Sequence, residues 1–241
     1  LGYNAMTDTT SGQDNTAVGT SALGNNTTAS NNTAVGKSAL TANTTGASNT
    51  AVGRESLSAN TTAAQNTATG MYALRQTTTG SNNTAMGYAS LITNTTGIGN
   101  TAYGHNSLYA NTTANNNTAI GTNALIANTT GYEQTAAGYR ALATNSTGFR
   151  NTAFGADSLL LNTTGFDNAA FGKSAMQDNT VGEANTGIGN YALANNTTSD
   201  GSTAVGYQAL VTNTTGSNNT AVGKDALLAN TTASNNVAVG K

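Results

Sequence analysis

The chain has 241 residues, of which 7% are charged and 37% hydrophobic, and it contains no Cys, Pro or Trp. Ordinary globular domains have about 25% charged residues, so Asn, Thr, Ser and Gly must provide most of the polar surface here. The formal net charge of -2 and the eight scattered Lys and Arg residues argue against a nucleic-acid or anionic-membrane surface. The absence of Cys excludes disulfides and thiolate metal sites, and the absence of a long apolar run argues against direct membrane insertion.

One phrase of 17 residues is repeated along the whole chain. Its consensus is NTAVGxxALxxNTTGxx, and we number positions within this unit from the leading Asn. A strict period is typical of a solenoid, in which every unit is stacked on its neighbours. We therefore predict that residues 1–241 form a single continuous array of about fourteen 17-residue coils. Because the chain begins and ends inside a phrase, we expect it to be a fragment of a longer fibre. The glycines that define the period are Gly2, Gly19, Gly36, Gly53, Gly70, Gly87, Gly104, Gly121, Gly138, Gly155, Gly172, Gly189, Gly206, Gly223 and Gly240.

The elements predicted within each unit are short strands and corners. The TAV run at positions 2 to 4 and the AL pair at positions 8 and 9 favour strands. The invariant Gly at position 5 and the NTTG segment favour corners, since Gly and Asn adopt positive φ at low cost. Seventeen residues are too few for a pair of helices. The sequence thus predicts an all-β, parallel β-solenoid, which at about 4.8 Å per coil would form a thin rod on the order of 67 Å long.

Charged residues and apolar residues occupy different positions of the unit. All 18 Asp, Glu, Lys and Arg residues fall at positions 6, 7, 10, 11, 16 or 17, which predicts that these positions face solvent. Position 3 is Ala except at Gly187, and position 9 is Leu except at Met176 and Met6. We expect these two rows of fixed volume to fill the interior of the coils.

Position 4 is apolar in nearly every unit, although its neighbour at position 3 is apolar as well. Adjacent residues of a strand face opposite sides, and a narrow solenoid has only one interior. Position 4 would therefore form an outward apolar stripe, larger than a soluble monomer normally exposes. We predict self-association about the long axis with closed cyclic symmetry. The predicted interface residues are Val18, Val35, Val52, Met86, Ile120, Phe154, Phe171, Ile188, Val205 and Val222.

Asn is the second fixed element of the unit. It fills position 1 except at Gln134 and Ser202, and it fills position 12 of every complete unit except at Thr77. In stacked coils the side-chain amides are expected to form ladders in which each donates to the carbonyl of the next. A missing rung would leave buried amides unpaired, at a cost of about 1 to 3 kcal/mol.

The phrases NTAVGKSAL, NTAMGYASL and STAVGYQAL resemble the head repeats of trimeric autotransporter adhesins, the YadA-like heads. Similar arrays occur in trimeric tail fibres of phages and related injection machines. The resemblance extends along the whole chain, over positions 2 to 8 of each unit. It implies a left-handed parallel β-roll, assembled as an elongated homotrimer and exposed outside the cell, on a bacterial surface or in a tail fibre. It also implies attachment to a host receptor, glycan or extracellular matrix. The unit is longer than the usual head repeat through its NTTG corner.

The residues give little support for an enzyme, a cofactor or a metal site. The one histidine, His105, lies at the variable position 6, and no paired carboxylates recur, so we predict no catalytic, cofactor-binding or metal-binding residue. Eleven of the position-12 asparagines, from Asn26 to Asn230, fit the N-glycosylation pattern. Asn and Thr are also what stacked corners require, and this structural interpretation is preferred.

Two further interpretations of the exposed positions remain open. The Thr rows at positions 13 and 14 favour an alternative function, a solenoid that binds ice or a crystalline polysaccharide. Tyrosines at positions 6 and 7 are candidates for a glycan-contacting stripe, although isolated, tolerated aromatics are an equally simple account. These candidate surface contacts are Tyr3, Tyr72, Tyr88, Tyr139, Tyr191 and Tyr207.

Overall fold

The computed structural model describes all 241 residues and contains strands but no helix. It is an all-β parallel β-solenoid of about 13 coils with 17 residues each, which confirms the predicted fold class. The chain divides into two compact units, residues 1–117 and 118–241. Both units are built from the same coil, and each is described below by itself.

Each coil contributes one three-residue strand, at positions 2 to 4 of the repeat. Thr and Val are β-branched and favour this extended conformation. The first unit contains β1 (Thr16–Val18), β2 (Thr33–Val35), β3 (Thr50–Val52), β4 (Thr67–Thr69), β5 (Thr84–Met86) and β6 (Thr101–Tyr103). The second unit contains β7 (Thr118–Ile120), β8 (Thr135–Ala137), β9 (Thr152–Phe154), β10 (Ala169–Phe171), β11 (Thr186–Ile188), β12 (Thr203–Val205), β13 (Thr220–Val222) and β14 (Val237–Val239).

Strands that follow one another within a unit pair in parallel, and each residue lies opposite its counterpart one repeat later. Ala34 of β2, for example, is in register with Ala51 of β3, and Val35 is in register with Val52. The same in-register pairing joins β9 to β10 in the second unit. A residue of one coil therefore packs on the residue of the same position in the next, which explains why one row tolerates only one size.

The interior consists of the two rows that the sequence predicted. The middle alanine of nearly every strand is buried, as at Ala34 and Ala153, and the position-9 leucines, such as Leu40 and Leu159, have no exposed surface. The predicted strand at positions 8 and 9 is wrong, however, because these residues lie in turns. The position-9 residues of the complete coils all have φ between 48° and 53°. A left-handed conformation costs Leu about 1 to 2 kcal/mol, and burial of its side chain offsets this by about 2 kcal/mol.

Glycine has two different roles at the corners. Gly53 has a φ of +135°, and a Cβ there would lie 2.5 Å from the carbonyl oxygen of Gly70 in the next coil. Both facts exclude a side chain, which confirms the predicted corner at position 5. The second predicted corner glycine, Gly46, does not have positive φ; left-handed residues of that corner are at position 17, such as Ser48 with φ 59°. The prediction for Gly46 was wrong because close approach is the constraint there: a Cβ would lie 2.2 Å from the carbonyl oxygen of Ala63.

Asparagine ladders connect the coils, as predicted, through two different patterns. At position 12 the amide of Asn162 donates to Oδ1 of Asn145 at 2.7 Å and to the carbonyl of Gly165 at 2.9 Å, while its own Oδ1 accepts from Asn179 at 2.8 Å. At position 1 the rung runs through the backbone. The N–H of Asn49 donates to Oδ1 of Asn32 at 2.9 Å. The asparagines of both rows are almost all completely buried, so their hydrogen bonds replace those lost to water.

The position-12 ladder of the first unit is interrupted at Thr77. Oδ1 of Asn60, the rung before it, is buried and accepts no hydrogen bond, and the hydroxyl of Thr77 is buried without a partner as well. The amide of Asn94, the rung after it, donates to its own coil at Gly97. The predicted cost of a missing rung is therefore visible as two unsatisfied buried oxygens.

We expect Gly53→Ala to lower the free energy of unfolding by about 3 kcal/mol. The added Cβ would collide with the next coil, and the φ of the residue disfavours any side chain. Guanidinium denaturation followed by circular dichroism measures the loss. Gly24→Ala is the matched control in the same unit, because its new Cβ would have no neighbour nearer than 3.4 Å. Equal losses for the two variants would contradict the constraint on the invariant row.

Thr77→Asn is expected to stabilise the protein, by about 1 to 2 kcal/mol. The two side chains have similar volumes, and the new amide would donate to the unpaired Oδ1 of Asn60 and accept from Asn94. Thermal and guanidinium denaturation measure the gain. Thr79→Asn, at an exposed position of the same coil, is the control and should be neutral. A destabilising Thr77→Asn would show that the gap is not a missing rung.

Candidate binding surface

The outward side of the strands carries a column of mostly apolar residues at position 4. In β9, Thr152 and Phe154 lie on either side of the buried Ala153 and point the other way from it. Val18, Phe154 and Ile188 are about 40% exposed, which is high for large apolar side chains in one continuous row. All ten predicted interface residues end a strand in this way, with Val35 and Val205 more covered than the rest.

The rings of this column are stacked where two aromatics follow each other. Phe154 of β9 and Phe171 of β10 have ring centroids 5.3 Å apart and an interplanar angle of 5°. Their in-register pairing fixes this geometry, since both rings leave equivalent backbone positions. Within a unit the column is thus an ordered surface, bordered by the position-2 threonines on the same side of the sheet.

The six candidate tyrosines do not form one row. Tyr72 and Tyr88 meet edge to face with centroids 5.9 Å apart, and Tyr191 and Tyr207 do so at 6.4 Å. Tyr88 also stacks on His105 at 5.3 Å, with 12° between the rings. The lone histidine is therefore an exposed member of an aromatic cluster. Tyr3 and Tyr139 are exposed but lie apart from these two pairs.

A second aromatic stack, which the sequence interpretation missed, occupies position 16 of three successive coils. The rings of Tyr132, Phe149 and Phe166 are nearly parallel, with centroids 5.0 and 4.7 Å apart. The guanidinium of Arg150 lies 4.8 Å from the Phe149 centroid and donates two hydrogen bonds to Asp167, at 2.7 and 2.8 Å. Three aromatics at one position of the repeat were the signal that could have revealed the stack.

The hydrogen bonds from Arg150 hold the pKa of Asp167 below its ordinary value. The same contact raises the pKa of Arg150. A carboxylate with a lowered pKa stabilises the folded state above the unfolded pKa of Asp, and this contribution is lost as the pH falls through the folded pKa. Both groups are exposed to solvent, so the stabilisation is weakened by screening.

The two predicted Thr rows differ in what their hydroxyls do. Position-13 hydroxyls donate to the backbone of the next coil, as Thr27 does to the carbonyl of Thr44 and Thr163 to that of Thr180, both at 3.0 Å. Position-14 residues such as Thr28 and Thr164 are exposed. Only the second row therefore presents its hydroxyls to solvent.

The asparagines of the glycosylation pattern are committed to the ladder in the folded chain. Asn162 is completely buried, and its amide nitrogen already makes two hydrogen bonds. Asn43 and Asn145 are bonded in the same way. A sugar on such a nitrogen would replace a hydrogen-bond donor and would have no path to solvent, which supports the structural interpretation of the NTT phrase.

No group of three or more His, Asp or Glu side chains lies close enough together to hold a metal ion. The structure also contains no helix of the length and apolar character needed to cross a membrane. The exposed surface features are thus the position-4 column, the two tyrosine pairs and the position-16 stack.

We expect Arg150→Gln to raise the pKa of Asp167 towards its ordinary value, since the charged hydrogen bonds that lower it would be lost. Titration of the Asp carboxyl carbons by NMR measures the change. Arg140→Gln is the control, because Arg140 lies beside Asp157 instead, and it should leave Asp167 unaffected. An unchanged pKa in Arg150→Gln would contradict the proposed cause.

Known proteins provide no assignment for this chain. Comparison with protein-family models finds no match, and comparison with curated proteins finds none either. The interpretation of its function therefore depends on the geometry of the coils and on the residues that they expose.

Proposed function

We propose that the chain is a segment of a non-catalytic attachment fibre. In this proposal three copies of a left-handed β-roll assemble about a common axis into an elongated homotrimer. The fibre lies outside the cell, on a bacterial surface or in the tail of a phage or injection machine, and attaches to a host receptor, glycan or matrix. The observation that carries the proposal is the position-4 column, which gives successive strands an outward apolar residue.

The column supports self-association because its residues are in register. In the second unit Ile188, Val205 and Val222 follow one another on paired strands, and all three face away from the interior. Each therefore presents its side chain at the spacing of the strands, about 4.8 Å. A second copy of the chain presents the same apolar residues at the same spacing, so like columns can interlock residue by residue around a closed symmetry axis.

The interior supports a mechanical rather than a chemical role. Its buried space is filled by the position-3 alanines and position-9 leucines, and the amides of its buried asparagines bond to one another and to the backbone. Tension along the stack would be shared among many hydrogen bonds between coils, as expected for a fibre segment.

The alternative function, binding of ice or a crystalline polysaccharide, is favoured by one observation, the exposed threonine column at position 14. The neighbouring position-13 hydroxyls are turned to the backbone, so the array is a single row rather than a flat double one. We therefore place this function second. Thermal hysteresis of the purified chain is the corresponding measurement, and ice shaping at micromolar concentration would favour it over the fibre.

The test of the fibre is the oligomeric state of the chain and of a variant in the column. We expect light scattering to give about three times the chain mass of 24.0 kDa, and Val205→Asp with Val222→Asp to give the monomer. Charges at these positions would have to be buried between copies, which costs several kcal/mol if they are unpaired.

Val181→Asp is the matched control for this test. Val181 is exposed in the same unit but lies at position 14, outside the strands, so the substitution should leave the mass unchanged. A monomeric parent chain would overturn the homotrimer. Dissociation by Val181→Asp as well would show that added charge, rather than the position-4 column, controls assembly.

A further inference from the structure

Four exposed or half-exposed side chains of the first unit form a compact cluster of charges around one ring. The carboxylate of Glu55 bonds to two guanidiniums, with Oε1 3.2 Å from Nε of Arg54 and Oε2 2.9 Å from a terminal nitrogen of Arg75. Both guanidiniums also lie over the ring of Tyr72, at 5.8 and 5.1 Å from its centroid. The cluster therefore brings two cations and one anion together on an aromatic face.

The shared carboxylate leaves the cluster with unused donors. A guanidinium has five N–H groups, and Arg54 and Arg75 each give Glu55 a single close contact while about half of each side chain stays exposed. Arg150 differs, because it is matched to its own acid by two hydrogen bonds to Asp167. Only in the Glu55 cluster do two arginines divide one carboxylate, so an additional anion would find free, correctly held donors there.

The charges of the first unit are concentrated at the same place. Its three cations are Lys37, Arg54 and Arg75, and Lys37 occupies the position of Arg54 in the preceding coil, where its carbonyl accepts the N–H of Glu55 at 2.9 Å. The other two acids of the unit, Asp8 and Asp14, lie in its first coils. A chain with an overall net charge of -2 thus has a local excess of positive charge.

A cavity of about 450 Å³ opens beside the two charged residues Glu55 and Arg75. Its other walls include the side chains of Ser38, Thr41 and Gln76, which offer hydroxyl and amide groups that both donate and accept. The volume is within the usual range for a small-molecule site. A lining of this kind suits a ligand with many hydroxyl groups better than an apolar one.

Aromatic rings continue the surface beyond Tyr72. Tyr88 meets Tyr72 edge to face, and His105 stacks on Tyr88. Tyr88 is 44% exposed, so part of this aromatic surface is open to a ligand. An extended ligand that begins in the cavity would therefore pass over rings in the neighbouring coils.

We propose that this cluster is a binding site for an anionic glycan. Arg54 and Arg75 would bind its carboxylate or sulfate group, while the cavity would take up ring hydroxyls of the same sugar and the Tyr72 and Tyr88 rings would contact the next one. This inference rests on the proposed attachment function, and it assigns to that function a class of ligand.

The experiment is a set of titrations of the 241-residue chain at low salt, followed by isothermal calorimetry and NMR. The probes are hyaluronan oligosaccharides, which carry carboxylates only, heparin oligosaccharides, which add sulfates, and neutral dextran oligosaccharides. Polyglutamate and a single-stranded oligonucleotide are the polyanions without acidic sugar chains. We expect binding of one or both acidic glycans, with the two arms separating carboxylate from sulfate recognition, and none of dextran.

Variants then locate the site. Arg54→Gln and Arg75→Gln should each weaken the acidic glycan about tenfold, because a charge-assisted hydrogen bond is lost, while Glu55 keeps the other arginine as its partner. Thr41→Val should weaken the glycan but not any binding of polyglutamate, since only the sugar uses the hydroxyl. Arg140→Gln is the matched control: it also removes an arginine that lies beside a carboxylate and a tyrosine ring, and it should change nothing. Melting curves exclude unfolding as the cause of any loss.

Three outcomes would overturn the glycan site. These are absence of binding to both acidic glycans at millimolar concentration, an equal loss in Arg140→Gln, or binding of the oligonucleotide or polyglutamate as tight as that of the glycans. Each is separable from failure of the fibre proposal. A trimer that binds no glycan would leave the fibre in place without this ligand, whereas a monomer that binds glycan would leave the site without the fibre.

Discussion

The hydrogen bonds between equivalent residues of successive coils are the constraint on which the rest of the structure depends. Each residue meets a copy of its own position, so a row must contain residues that pack and bond to themselves. This requirement explains three different rows by one argument. Alanine rows fill a narrow space, leucine rows fill the remainder, and asparagine is the side chain whose donor and acceptor can bond to another asparagine. Where the self-bonding residue is absent, at Thr77, buried oxygens are left without partners.

Strict repetition made most of the fold predictable from the sequence. Because 17 residues return the chain to the same place, variation within a row reports directly on burial, and the strand, the interior rows and the asparagine ladders follow from it. The conformation of the leucines was not predictable in this way. Leu rarely adopts positive φ, so its intrinsic preference pointed to a strand, whereas Leu40 and its equivalents turn the chain with φ near 50°. Complete burial of the side chain decides between these two tendencies.

The exposed surface was less predictable for a different reason. Rows describe what lies directly above and below a residue, but a site is formed by neighbours from different rows. Arg54, Glu55 and Arg75 occupy positions 6, 7 and 10 of two adjacent units, and no single row shows that one carboxylate serves both arginines. The same holds for Tyr88 and His105, which were interpreted separately from the sequence. The framework is therefore uniform from coil to coil, while individual sites are written in the six positions that tolerate any side chain.

The in-register contact of every glycine at position 5 with its counterpart also restricts how such a chain can change in size. Removing or adding a few residues would place a side chain against the backbone where only Gly53 and its equivalents fit. An insertion of one entire unit keeps every row intact, because the new coil presents the same residues to both neighbours. The gene of such a protein can therefore be lengthened or shortened by recombination between its own near-identical repeats, in whole steps of 17 codons. Each step would leave the framework of the coils unchanged and alter only the number and order of the variable sites.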